Sequence, residues 1–105
     1  VVTAGSPTLY GALEPDDVNE ALATRFRRWN VCYDDALARN RDAAGTIELA
    51  FAVTSGHVSG LEVGLDEIGD RKLTRCVSQV ARMLHFDGDG EVVLPLELKL
   101  QSPEG

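Results

Sequence analysis

Four side chains in this sequence have the chemistry of metal ligands or nucleophiles: Cys32, Cys76, His57 and His85. Two thiols and two imidazoles make up the four donors that a zinc site takes. Their spacing does not fit a compact zinc knuckle. His57 falls in a hairpin tip and His85 at a helix end, places expected to lie apart on the domain. Both therefore read as surface histidines, and no metal or cofactor is expected. A catalytic thiol needs a setting that lowers its pKa, and no nucleophile signature surrounds either cysteine. What remains for the cysteines is each other. Each lies on the apolar stripe of a predicted helix, and the helices share one face of a small sheet. There the sulfurs either bond or stay as buried thiols that pack like small hydrophobes. A bond implies folding in an oxidising compartment. Closing a loop of about 45 residues stabilises by roughly 4 kcal/mol in the chain-entropy model.

The acidic pairs carry no catalytic signal. Asp16-Asp17, Asp34-Asp35, Asp66-Glu67 and Asp87/Asp89 fall in caps or on solvated faces. A glycosidase pair needs a cleft between its two carboxylates. Asp87-x-Asp89-Gly90 resembles the start of a calcium loop, but Leu98 stands where the loop needs its glutamate.

The elements that position these groups are legible from periodicity. Residues 1–13 have no clear period and read as a linker or loosely docked arm, with Leu9, Tyr10 and Leu13 available to the core. Pro15 and the acids around it start a helix. Val18, Leu22, Phe26, Trp29, Cys32 or Tyr33, and Ala36 or Leu37 form one stripe of about six turns. Trp29 and Tyr33 on that stripe are core residues. Asn40 ends the helix and Gly45 opens a strand.

Thr46–Val53 alternates strictly, with Ile47, Leu49, Phe51 and Val53 on one side. Thr54-Ser55-Gly56-His57 makes a hairpin. Val58 is out of phase with Leu61, Val63 and Leu65, which places a bulge at Ser59-Gly60. Asp70 caps a second helix whose stripe is Leu73, Cys76, Val77, Val80 and Leu84. Asp87–Gly90 is a turn. The last strand runs from about Glu91 to Gln101, with Val92, Leu94, Leu96, Leu98 and Leu100 inward. The expected domain spans residues 14–101, and residues 102–105 are a tail. Its class is α+β: a three-stranded antiparallel sheet, ordered αββαβ, with two helices on one face.

One domain fits the 105 residues. The net charge of −7 leaves no basic face for nucleic-acid phosphates or acidic membranes. No stretch is long and apolar enough for a membrane span. A start at Val1 without Met reads as a domain excised from a longer protein. Pro95 lacks an N–H, so the last strand is assigned to the sheet edge. Val92, Val93, Leu94, Pro95, Leu96, Glu97 and Leu98 are thus the candidate partner-binding edge, able to accept an extended peptide by main-chain pairing. Pro95 would also guard that edge against self-association.

The ordered set Cys32-Tyr33 with Leu37, Gly45-Thr46-Ile47, Gly56-His57-Val58, Cys76-Val77, Phe86 and Leu94-Pro95-Leu96 resembles a known family. It is the C-terminal domain family named after the myxobacterial motility proteins AgmX and PglI, a relative of TonB C-terminal domains. The resemblance covers Pro15 to Leu100. It departs at Asp87-Gly88-Asp89-Gly90, where relatives often carry a proline-containing turn. The resemblance implies a TonB-like fold in the periplasm, at the end of an inner-membrane-anchored protein. It implies a non-enzymatic domain coupling a motor complex to an outer-membrane or other periplasmic partner, in gliding motility or envelope transport. The alternative is a static envelope scaffold that binds peptidoglycan or dimerises.

Overall fold

The computed structural model describes residues 1–100. Over the described residues the fold is α+β, with three helices and one five-stranded antiparallel sheet. Strict alternation builds its centre from β3 (Gly45–Thr54) and β5 (Gly90–Leu98). Ile47, Leu49, Phe51 and Val53 of β3 are buried, as are Val92, Leu94, Leu96 and Leu98 of β5. The register sets Leu49 opposite Leu94 and Ile47 opposite Leu96. Opposed residues share a face, so both apolar rows face the helices. The strand β5 stops at Leu98, and Leu100, expected inward, is 48% exposed. The expected strand end at Gln101 and the tail 102–105 lie outside the described residues.

On the other side of β3 runs β4 (His57–Asp66), after the expected two-residue turn. Ser55 and Gly56 both adopt positive φ, 52° and 81°, as a tight hairpin with right-handed twist requires. The register slips by one residue between the pairs Ala52–Ser59 and Ala50–Glu62, and Gly60 has φ 58°. This is the expected bulge. A second slip, between Glu48–Leu65 and Leu49–Val63, was not anticipated. It turns Leu65 onto the helix-free face beside Glu48 and brings Asp66 to the helix side.

Residues 2–11 are not a linker. The strands β1 (Val2–Ala4) and β2 (Thr8–Gly11) both pair antiparallel with β5. Strand order is β1-β5-β3-β4, with β2 following β1 along the same side of β5. The last strand is therefore not an edge: of Val92, Val93, Leu94, Pro95, Leu96, Glu97 and Leu98, all pair with β3, Val92 and Val93 also pair with β2, and Leu96, Glu97 and Leu98 also pair with β1; Leu94 and Pro95 face the segment that joins the two arm strands. Proline is tolerated there for a geometric reason. In an antiparallel ladder the N–H and C=O of one residue point the same way. The Pro95 carbonyl accepts the Gly5 N–H at 2.8 Å, so the missing N–H also points at the N-terminal arm. At that level the arm passes through Gly5, Ser6 and Pro7, between its two strands, where no ladder pair is formed.

The expected six-turn helix is two helices, α1 (Pro15–Ala23) and α2 (Phe26–Arg39). A tight turn separates them: Thr24 and Arg25 donate their N–H groups to Ala21 and Leu22, three residues back. The Thr24 hydroxyl also donates to the Ala21 carbonyl. The stripe survives the break, because Val18, Leu22, Trp29, Tyr33 and Ala36 are all buried in one core. Pro15 opens α1 and Asn40 caps α2 as expected. The third helix, α3 (Arg71–Ala81), has Asp70 at its N-cap, accepting from Leu73 N–H.

All three helices pack on the same face of the sheet. Trp29 is fully buried and donates Nε1–H to the Val77 carbonyl at 3.1 Å. Tyr33, also fully buried, donates its hydroxyl to the Ala43 carbonyl. Burial raises the Tyr33 pKa. Both are core residues, as expected. Cys32 and Cys76 are bonded, joining α2 to α3 across a separation of 44 residues. The open alternative of two buried thiols is thereby resolved.

Replacing both cysteines by alanine should lower stability by up to roughly 4 kcal/mol, read as a lower urea midpoint for the variant at unchanged pH. Deleting Val1–Gly5 should speed amide exchange at Glu97 and Lys99, which face β1, and leave Leu94 and Leu96, which face β3, slow. Equal acceleration at all four amides would mean that the arm is required for the whole sheet.

Candidate functional site

The side chains expected to lie apart have come together. His57 forms an antiparallel bridge with His85, and their rings meet edge to face at 4.8 Å. The hairpin tip docks on the segment after α3: the Phe86 N–H donates to the Gly56 carbonyl at 3.0 Å. A side chain at Gly56 would collide with the Phe86 carbonyl, so the docking requires glycine. The two histidines remain a pair. Among the described residues no group of three or more His, Cys, Asp or Glu is placed to hold a metal, and both sulfurs are in the disulfide.

The acidic pairs resolve into caps, turns and ion pairs. Asp16 and Asp17 sit in the first turn of α1. Asp35 pairs with Arg39, which reaches across to Asp70 at 2.9 Å. Glu67 accepts the Thr46 N–H at 2.8 Å, and Asp89 accepts the Ser55 N–H at 2.9 Å. Asp66 accepts from Ile68 N–H, Gly69 N–H and the Thr74 hydroxyl, at 3.0, 2.9 and 2.6 Å.

With β5 enclosed, the sheet ends in the short strands β1 and β2 on one side and in β4 on the other, so β4 is the long open edge. Among the described residues its outer side has no strand neighbour, and its ten residues offer main-chain donors and acceptors along their length. The edge is guarded. Two bulges disrupt its regularity, and Glu62 stands at its middle, which hinders indiscriminate pairing. It also carries apolar surface: Val63 is 40% and Leu65 45% exposed.

Beside the end of this edge lies the outer flank of α3. There Asp66, Thr74, Ser78, Arg71, Arg75 and Arg82 line a groove of about 750 Å³. Leu73, Val77 and Ala81 face the core and Cys76 faces α2. That leaves Thr74 and Ser78 on the side of α3 away from α2, with the arginines outside them. The Thr74–Asp66 hydrogen bond ties α3 to the end of β4. The helix-free face of the sheet has the opposite sign. By register Glu48, Glu62, Glu91 and Glu97 stand on it with Tyr10.

Nothing in the sequence marked this edge, because the exposure of Val63 and Leu65 appears only once the strands are ordered. The signal for the arm was weak: β-branched and aromatic residues in Val1–Thr3 and Thr8–Tyr10, on either side of Gly-Ser-Pro. No helix among the described residues is long and apolar enough to cross a membrane.

Two carboxylates that fasten α3 have displaced pKa values. Burial pushes Asp66 up, but the hydrogen bonds from Gly69, Thr74 and Ile68 outweigh it and hold the pKa below its ordinary 3.8. For Asp70 the Leu73 N–H lowers the pKa, desolvation opposes, and Arg39 lowers it further below 3.8. A carboxylate whose folded pKa is depressed adds stability that is fully present above its unfolded value. That stability drains away as pH falls through the folded value. The wild type should therefore lose urea resistance below about pH 4, more steeply than Asp66→Asn/Asp70→Asn. Parallel curves for the two proteins between pH 6 and pH 2 would show that these groups do not couple to folding.

No family model, curated protein or solved structure matches this chain. The edge and its groove therefore stand on their geometry and charge.

Proposed function

We propose that this chain is a non-enzymatic coupling domain of the TonB-like type, working in the periplasm. It would link an inner-membrane motor complex, through the rest of its parent chain, to an extended segment of an outer-membrane or other periplasmic partner. Gliding motility and envelope transport are the processes that the sequence resemblance favours.

The observation that carries this reading is the free edge of β4, ten residues long beside a doubly paired sheet centre. An extended segment laid along it gains main-chain hydrogen bonds without reorganising the core. Such an attachment suits a coupling role, because a pull along the strand axis loads several of those bonds together. The Cys32–Cys76 bond supports the compartment, since disulfides form and persist where the surroundings oxidise thiols. The stretch from α2 onward keeps the expected helix–strand–strand–helix–strand order. The seat for the partner is β4 and not β5, whose main chain the N-terminal arm occupies on its outer side.

Titration of the oxidised, ¹⁵N-labelled domain with periplasmic segments of outer-membrane proteins tests the proposal. Amides of His57–Asp66 should shift more than those of Val92–Leu98. The same peptide N-methylated at alternate residues should bind at least about tenfold more weakly, since each lost hydrogen bond removes about 1 kcal/mol. Equal affinity of the methylated peptide, or shifts confined to the helices, would rule out strand addition.

A further inference from the structure

We infer that the groove between α3 and the β4 edge selects an acidic extended segment, one whose carboxylates point toward α3. The inference rests on the coupling reading above and names the chemistry of its partner.

The chain as a whole is acidic, with 17 Asp and Glu against 10 Lys and Arg. Against that background Arg71, Arg75 and Arg82 gather on one flank of one helix. At about 100° per residue, positions 0, 4 and 11 fall within about 40° of each other. All three side chains line the same groove, which meets β4 at its last residue, Asp66. Among the described residues the ion pairs use Arg39 and Lys99 only, so these three guanidinium groups have no carboxylate within pairing distance. Asp66 also lines the groove, but its oxygens already accept three hydrogen bonds. The groove therefore keeps a net positive charge.

The other side of the same edge is negative. Glu62 stands on the helix-free face opposite Ala50, and Glu48 stands beside Leu65. Side chains of an added strand alternate between the two faces. One row meets Arg71, Arg75 and Arg82; the other meets Glu62. Charge complementarity thus asks for acidic residues at every second position, with neutral or basic residues between them. A one-residue slip exchanges the two rows, so the charge pattern would also set the partner's register. A second copy of this chain fits poorly. β4 carries Glu62 and Asp66 and no lysine or arginine, and a two-fold pairing centred on Glu62 would set like charges opposite each other.

The test uses three synthetic heptapeptides of alternating Thr and Glu, Thr and Gln, or Thr and Lys, titrated into the oxidised domain at low salt. The Thr-Glu peptide should shift β4 amides and bind roughly tenfold more tightly than Thr-Gln, with Thr-Lys weaker still. Arg75→Glu/Arg82→Glu should abolish the preference for Glu over Gln. Both side chains are exposed and unpaired, so the variant should fold; an unchanged amide spectrum outside α3 checks this. Raising the salt should narrow the preference. Equal binding of Thr-Glu and Thr-Gln at β4 would overturn the charge selection and leave strand addition standing. Absence of β4 shifts with all three peptides would count against both readings. Concentration-dependent β4 shifts without peptide would make a second copy the occupant and overturn the inference.

Discussion

Main-chain hydrogen bonding along β5 is the constraint on which the rest of this structure depends. β5 lies in the middle of the sheet with an apolar row buried against the helices, so its donors and acceptors on both sides need partners. On one side β3 meets that demand residue for residue from Gly45 to Val53. On the other side the N-terminal arm meets it in two pieces, and the gap between them falls where Pro95 has no donor to offer. The arm thus turns what would have been an exposed edge into an interior strand. In doing so it leaves β4 as the long open edge.

The helical layer is fastened to that sheet by few but varied attachments. The disulfide joins α2 to α3 covalently. Trp29 fills the space between these helices and uses its one polar atom on a carbonyl of α3, so its burial leaves no donor unpaired. At the start of α3, Asp70 caps the helix and pairs with Arg39 of α2, while Asp66 holds Thr74 from the end of β4. The same attachments orient α3. With Cys76 turned to α2, the flank bearing Thr74 and Ser78 is turned to the end of β4, with the three arginines outside it.

Charge is distributed by layer. By register the helix-free face of the sheet is glutamate-rich, and the groove beside β4 is arginine-rich. The formal charge of −7 averages over this and conceals it. An extended partner at the β4 edge would meet both fields at once, one on each row of its side chains. Net charge speaks to solubility and to nonspecific partners; local charge along an edge can specify a sequence.

Periodicity, caps and turn chemistry determined most of this fold from the sequence alone. The alternation of Ile47 to Val53 and Val92 to Leu98, the hairpin at Ser55-Gly56, the bulge at Gly60 and the caps at Asp70 and Asn40 are local, set by a residue and its near neighbours. The place of Cys32 and Cys76 on apolar stripes was local too, and it brought the sulfurs within reach. Tertiary structure alone decided which strands are neighbours. Val2–Ala4 and Thr8–Gly11 are too short to show a period, and their strand state comes from the partner they find in β5. Pro95 marks a missing donor, but which neighbour goes without it depends on residues some ninety positions away. For the same reason the open edge, the meeting of His57 with His85 and the arginine groove were out of sequence's reach. Each is a contact between segments distant in the chain, and no local preference encodes such a contact.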